Sequence, residues 1–216
     1  MKFAIIGLGS FGSNVAKTLY KNGHEVVAVD LDKEKIAAAK GFTSHAVHME
    51  AADKENLQAI GIADMDVVIM SLGPEMEASI LTVLYLHELG VERIVAKALS
   101  EDHLKVLEAV GASEVIYPEK DMAVKVALKL SNPNILDYLP LHEGYGIQEI
   151  APPEKFIGKS LKDLDLRNKF DIQVIAIREI IPGKTTLIPK SDFIIKDSDI
   201  LIIMGQEGKL AKLNAS

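Results

Sequence analysis

Apolar residues fall in short runs at regular intervals, and between the runs the spacing changes to the three-and-four rhythm of helices. Lys2-Phe3-Ala4-Ile5-Ile6 has no polar face beyond its first residue, as a strand buried on both sides requires. Phe11, Val15 and Leu19 recur at i, i+4 and i+8 and predict an amphipathic helix ending at Asn22-Gly23, a favourable C-terminal cap. Glu25–Asp30 is a second apolar run that closes on an acid. Asp32 predicts a helix to about Lys40, Ser44–His48 a third strand, Asp53–Ile60 a helix closed by Gly61, and Asp66–Ser71 a fourth strand. Gly73-Pro74 opens a long helix to about Glu88, with Pro near the first turn where its missing N–H does no harm. Arg93–Lys97, Glu101–Val110, Ser113–Tyr117 and Pro118–Leu130 continue as strand, helix, strand and helix. Such alternation with short connections implies the α/β class, a doubly wound parallel sheet covered on both faces.

The pattern changes near Ser131-Asn132-Pro133. Residues 1–133 read as the first domain, 134–140 as a linker and 141–216 as a small α+β domain. Its predicted strands are Ile147–Ile150, Ile172–Arg178 and Ile200–Met204, with a helix near Ser160–Leu164. Within the first domain, Ile80, Leu81, Val83, Leu84, Tyr85 and Leu86 leave the long helix little polar face. A helix apolar nearly all round has two surfaces to bury. One packs on its own sheet; the other predicts a subunit contact, unless the chain itself covers it.

The turn between the first strand and first helix is Gly7-Leu8-Gly9-Ser10-Phe11-Gly12, a match to G-x-G-x-x-G. Its place between strand and helix, with Asp30 roughly 20 residues on, is the context that gives the motif meaning. Gly7 permits the tight turn, Gly9 lets backbone approach a phosphate, and Gly12 lets the helix pack on the sheet, while the helix N-terminus offers free N–H groups. Asp30 would accept hydrogen bonds from ribose hydroxyls and repel a 2′-phosphate, which disfavours NADP. These features predict a Rossmann-like nucleotide-binding unit; glycines serving turns and packing alone are the alternative.

Composition narrows the partners. The 216 residues carry a net charge of −7 with no long basic cluster, which argues against nucleic acid. There is no cysteine, hence no disulfide framework and no thiolate chemistry. Met1–Ile6 is too short for a signal peptide, and the apolar stretch around Ile80–Leu86 is too short to span a bilayer. A cytoplasmic protein is expected.

Catalytic chemistry is harder to find. His45 and His48 are three apart on a strand and point to opposite faces, a poor metal geometry. His24 falls in a turn, His142 in the linker, and His87 and His103 are expected to be half-buried or at the surface. The alternative function, a small NAD-dependent oxidoreductase, needs a proton donor beside the nicotinamide; no residue set supplies one. An assembly scaffold with a structural, non-exchanging nucleotide is a third reading.

Ile6–Gly12 and Gly23–Asp30 resemble the N-terminal RCK domain of potassium-transporter regulatory subunits. So do Ser44–Val47, Glu77–Thr82, Lys105–Leu107 and, most specifically, Pro118-Glu119-Lys120-Asp121-Met122-Ala123. Gly158–Leu161, Asp163–Arg167 and Asp199–Gly205 look like the RCK C-terminal lobe. The resemblance is closest to the gating subunits of Ktr-type uptake systems, with the Trk type as cousin. It implies a regulator without turnover. Such subunits form dimers and octameric rings, alone or mixed with a related subunit, beneath an integral-membrane potassium transporter at the inner face of the cell membrane. Adenine nucleotides bind them, ATP favouring the active state and ADP the inactive one, and Trk-type members also bind NADH. By motif position, Gly7, Gly9, Ser10, Phe11 and Gly12 would surround the phosphates, Asp30 and Leu31 the ribose, and Lys97 would bring positive charge. Glu119 falls where the family binds a divalent cation. Arg167, Ile172 and Pro189 fall near the cyclic di-AMP site of many Ktr relatives.

Ser10 departs from that pattern, because Ktr relatives usually carry Arg there, reaching a partner subunit's terminal phosphate. An arginine fork on phosphate is worth ~1.5–3 kcal/mol, whereas serine supplies one neutral hydroxyl; the loss corresponds to roughly tenfold or more in triphosphate affinity. Weak ATP-versus-ADP discrimination is therefore expected, with ADP, AMP or NAD as live ligands. A paired subunit carrying the arginine would restore it in trans.

Overall fold

The computed structural model describes residues 1–132, 134–141 and 144–214; Pro133 of the expected boundary and His142 of the expected linker region lie outside them. Two compact units divide at Glu119/Lys120, earlier than the sequence-based boundary at 133.

The first unit holds a parallel six-stranded sheet in the order β3-β2-β1-β4-β5-β6. Its strands are β1 (Lys2–Ile6), β2 (Glu25–Asp30), β3 (His45–His48), β4 (Val67–Met70), β5 (Ile94–Lys97) and β6 (Glu114–Ile116). The helices between them are α1 (Ser10–Lys21), α2 (Lys33–Ala39), α3 (Lys54–Ala59), α4 (Met76–Glu88) and α5 (Glu101–Ala109). Strand periodicity splits the apolar runs between two cores. Ala4, Ile6, Val68, Met70 and Ile94 face α4 and α5 with Val83, Leu86 and Leu107. Phe3, Ile5, Val26, Ala28 and Ile69 face the other way, with Ala16 of α1 and Ile36 of α2. This two-sided burial is why the strands read as unbroken apolar runs.

The long helix begins at Met76, with Pro74 in the loop before it rather than in its first turn. Its buried residues are Ser79, Thr82, Val83 and Leu86. Ile80 and Tyr85 pack at the edge of the core, and Leu81 and Leu84 are half-buried. No helix of the described residues is long and apolar enough to cross a membrane.

The second unit begins within α6 (Pro118–Ser131). It contains an antiparallel sheet, β10-β9-β11-β8-β7, formed by β7 (Ile135–Pro140), β8 (Tyr145–Ile150), β9 (Gln173–Glu179), β10 (Lys184–Leu187) and β11 (Asp199–Gln206), with α7 (Leu161–Leu164), α8 (Leu166–Phe170) and α9 (Glu207–Asn214). The segment expected to be a linker, 134–140, is therefore the edge strand β7. Its Ile135 and Tyr138 are buried, and the Tyr138 hydroxyl donates to Glu207. Gly146 on β8 leaves room for that ring, since a Cβ there would lie 2.5 Å from Tyr138 Cε2. Strand β10 and helices α8 and α9 were not expected from the sequence.

Candidate functional site

The strand order reverses between β1 and β4, and in such sheets ligands bind outside the carboxyl ends of the strands at that point. The glycine turn leaves β1 there. Gly7 has φ +93°, and a Cβ on it would lie 2.3 Å from Ser71 O at the end of β4. Its N–H donates to Val29 O (2.8 Å), while Ser71 N–H donates to Ile6 O (2.7 Å), tying the turn to both neighbouring strands. A Cβ on Gly12 would come within 2.0 Å of Gly7 O, so α1 packs as it does only with glycine there. Gly9 is different. It has φ −63°, and a Cβ on it would meet nothing within 4 Å. Fold geometry requires Gly7 and Gly12; open space over Gly9 is what an approaching phosphate requires.

Cap chemistry points the same way. Helices α2, α3 and α5 are capped by the side chains of Asp32, Asp53 and Ser100. At α1 the cap is Gly9, with no side-chain acceptor and no acid in the first turn. The amide groups and positive dipole end of this 12-residue helix are left to an anion. Ser10 is exposed there, whereas the half-buried Phe11 ring packs against the core below.

Asp30, at the end of β2, does more than the motif suggests. Its Oδ2 accepts from Leu8 N–H (2.6 Å) and its Oδ1 from Asp32 N–H (2.8 Å), with Lys35 Nζ 3.6 Å away. The carboxylate holds the glycine turn against β2. It keeps lone pairs for a further donor, because two carboxylate oxygens offer about four acceptor positions. Leu31 beside it is 52% exposed, and His48 Nε2 lies 2.9 Å from Leu31 O. Sequence reasoning considered His48 only as a metal ligand.

Lys97 and Glu119 meet each other. Lys97 Nζ at the end of β5 lies 2.6 Å from Glu119 Oε1 in the first turn of α6. The hydrogen bond from Lys97 holds the Glu119 carboxyl below its ordinary pKa. Thus two sets of expected site residues form, one on β1 and β2 and one on β5 and α6. Among the described residues no group of three or more His, Asp or Glu is placed to hold a metal ion.

His103 corrects an expectation. It is 1% exposed rather than half-buried or at the surface. Leu99 N–H donates to Nδ1 (3.3 Å), so the neutral ring carries its proton on Nε2 and gives it to Ser79 Oγ (2.9 Å), which donates to Met76 O. Burial lowers the pKa. In this tautomer Ser79 is an acceptor from His103, the reverse of a nucleophile–base pair, and the network joins α4 to α5.

In the second unit a cavity of about 300 Å³ brings together Arg167, Ile172 and Pro189, with Lys162, Asp165 and Gln173 around them. Of these, Ile172 belongs to the core.

Residues 3–118 match the TrkA-N domain and residues 149–216 the TrkA-C domain. Ktr system potassium uptake protein A of Bacillus subtilis (strain 168) is 41% identical over 206 residues, covering 95% of this chain and 92% of that protein. The chain belongs to the TrkA-N/TrkA-C family of Ktr potassium uptake proteins. Protein A of Vibrio alginolyticus is 33% identical over 213 residues, 97% of this chain and 94% of its own length. Among solved structures, the GsuK channel bound to NAD matches with a TM-score of 0.68 and 18% identity, over 98% of this chain; this chain spans 38% of that channel chain. The Kef C-terminal domain of Shewanella denitrificans in its AMP-bound form matches with a TM-score of 0.52 and 23% identity, over 61% of this chain and 82% of that one. At these identities the structural likeness shows the fold. The TrkA-N match spans the six-stranded sheet, and the TrkA-C match begins within β8.

Proposed function

We propose that this chain is a nucleotide-sensing regulatory subunit of a potassium uptake system, in which ligand occupancy changes the shape of an oligomer rather than feeding a reaction. One observation carries the reading: the uncapped, acid-free N-terminus of α1, with open space over Gly9 and a rigidly held turn beneath it, in a chain of the Ktr family. Gly9, Ser10 and the backbone of Phe11 and Gly12 hold phosphate, and Asp30 and Leu31 hold the ribose and its base. The ligand is an adenine nucleotide, with ADP, AMP or NAD ranked beside ATP because Ser10 lacks an arginine's charge. A divalent cation at Glu119 draws its other ligands from the nucleotide or from a paired subunit. Arg167, Ile172 and Pro189 line the cavity that takes cyclic di-AMP. Leu81 and Leu84 on α4 face a second copy within an octameric ring, docked at the cytoplasmic face of a membrane transporter.

A ligand shifts such a ring only by binding one shape more tightly, and about 5.5 kcal/mol of differential affinity drives a near-complete switch. Spread over several identical sites, that is a modest demand on each. The test is the melting temperature with ATP, ADP, AMP, NAD, NADH and cyclic di-AMP. A rise with at least one adenine nucleotide is expected; no change with any of them ends the reading.

A further inference from the structure

If a nucleotide sits on the glycine turn, as proposed, its outer phosphates have to contend with the pair formed by Lys97 and Glu119. Lys97 stands at the carboxyl end of β5, on the edge of the sheet where the glycine turn opens. Strands β1, β4 and β5 are successive neighbours, so β5 runs roughly 10 Å from β1. A single phosphate on the glycine turn stays short of Lys97, whereas the outer phosphates of an extended chain approach it. Yet the ammonium group already has an anion: Glu119 Oε1 is 2.6 Å away.

We propose, on the basis of the nucleotide reading, that Glu119 is an internal competitor for the polyphosphate of the ligand, so that di- and triphosphate nucleotides bind by displacing its carboxylate from Lys97 while a monophosphate does not meet it. The two partners are unequally placed for this exchange. The Lys97 side chain is 15% exposed and stays where β5 puts it, but the Glu119 side chain is 57% exposed and free to turn into water. Once displaced it remains ionised at little cost, because it stands in the first turn of the 14-residue α6, where the helix dipole favours negative charge. Glu119 is also the last residue of the first compact unit, and α6 continues into the second. The number of phosphates on the ligand thereby decides whether the start of α6 keeps its side-chain anchor.

Isothermal titration calorimetry tests this on the full chain, stripped of nucleotide, at neutral pH with EDTA to remove divalent cations. AMP, ADP and ATP are titrated into the wild type, Glu119→Gln, Lys97→Gln and the double variant. Glu119→Gln is expected to bind ADP and ATP about two- to fivefold tighter, the scale of a partly exposed ion pair, with AMP unchanged. Lys97→Gln is expected to weaken ADP and ATP but not AMP, and in that background Glu119→Gln should have no further effect. Unchanged or weaker binding of ADP and ATP by Glu119→Gln, or an equal gain for AMP, overturns the competition. Failure of all three nucleotides to bind any of the four proteins overturns the nucleotide reading itself.

Discussion

Replacing Asp30 with Asn separates what its carboxylate does for the fold from what it does for a ligand. The side chain is 10% exposed and accepts two backbone hydrogen bonds, from Leu8 at 2.6 Å and from Asp32 at 2.8 Å. An amide has one acceptor oxygen, so either way round it presents an NH2 group to one of these N–H groups. The shorter bond, to the buried Leu8, is expected to keep the oxygen, leaving the Asp32 N–H unpaired. One bond to a charged acceptor is lost, worth about 1.5–3 kcal/mol, and the other falls to neutral strength, about 1 kcal/mol. The sum predicts a loss of about 2–5 kcal/mol, from a total stability on the order of 5–15 kcal/mol. Urea unfolding of the ligand-free chain, followed by circular dichroism, measures it. A loss below about 1 kcal/mol would refute the claim that this carboxylate holds the glycine turn.

Two glycine variants should part company. Gly9→Ala is expected to cost no more than about 1 kcal/mol, the loss of a glycine N-cap, yet to weaken nucleotide binding, because its Cβ enters the open space over the turn. Gly12→Ala places a Cβ 2.0 Å from Gly7 O and should cost about 1–3 kcal/mol or more of overpacking even after a helix-propensity gain of up to about 1 kcal/mol; urea midpoints of both variants decide. Burial holds the His103 pKa below 6.5, so as pH falls the unfolded chain protonates first. His103 thus contributes full stability above 6.5 and less as pH drops below it. Melting temperatures from pH 7.5 to 5 should fall more steeply for the wild type than for His103→Gln, and equal slopes would count against the network. Ser10→Arg should tighten ATP relative to ADP, and an unchanged ratio of calorimetric affinities would mean that no partner phosphate lies within its reach.

Much of the first unit was legible because local and global signals agree. Asp32 and Asp53 cap the helices they were expected to start, and apolar runs without a polar face became the inner strands of a two-sided sheet. What escaped notice depends on contacts distant in sequence. His103 is buried because Ser79, 24 residues earlier, accepts its proton, and nothing in the spacing of either helix announces that pair. Strand β10 is Lys-Thr-Thr-Leu with no residue fully buried, so it carries no hydrophobic period, and β7 was hidden by the proline-flanked look of its neighbourhood. At the site, residue types identified the glycine turn and Asp30. The hold of Asp30 on Leu8 N–H and the pairing of Lys97 with Glu119 required the backbone path.

The position of β1 in the sheet also bears on how the chain is made. It is a central strand, paired with β2 on one edge and β4 on the other. Its first partner follows within one helix and a turn, but β4 begins at Val67, about 40 residues after β2 ends. At ribosomal speeds of roughly 5–20 residues per second, one edge of this strand, apolar after Lys2, waits about 2–8 s for its partner. During that interval the apolar side chains of β1 and the hydrogen-bonding groups along its second edge lack the partner that covers them in the fold.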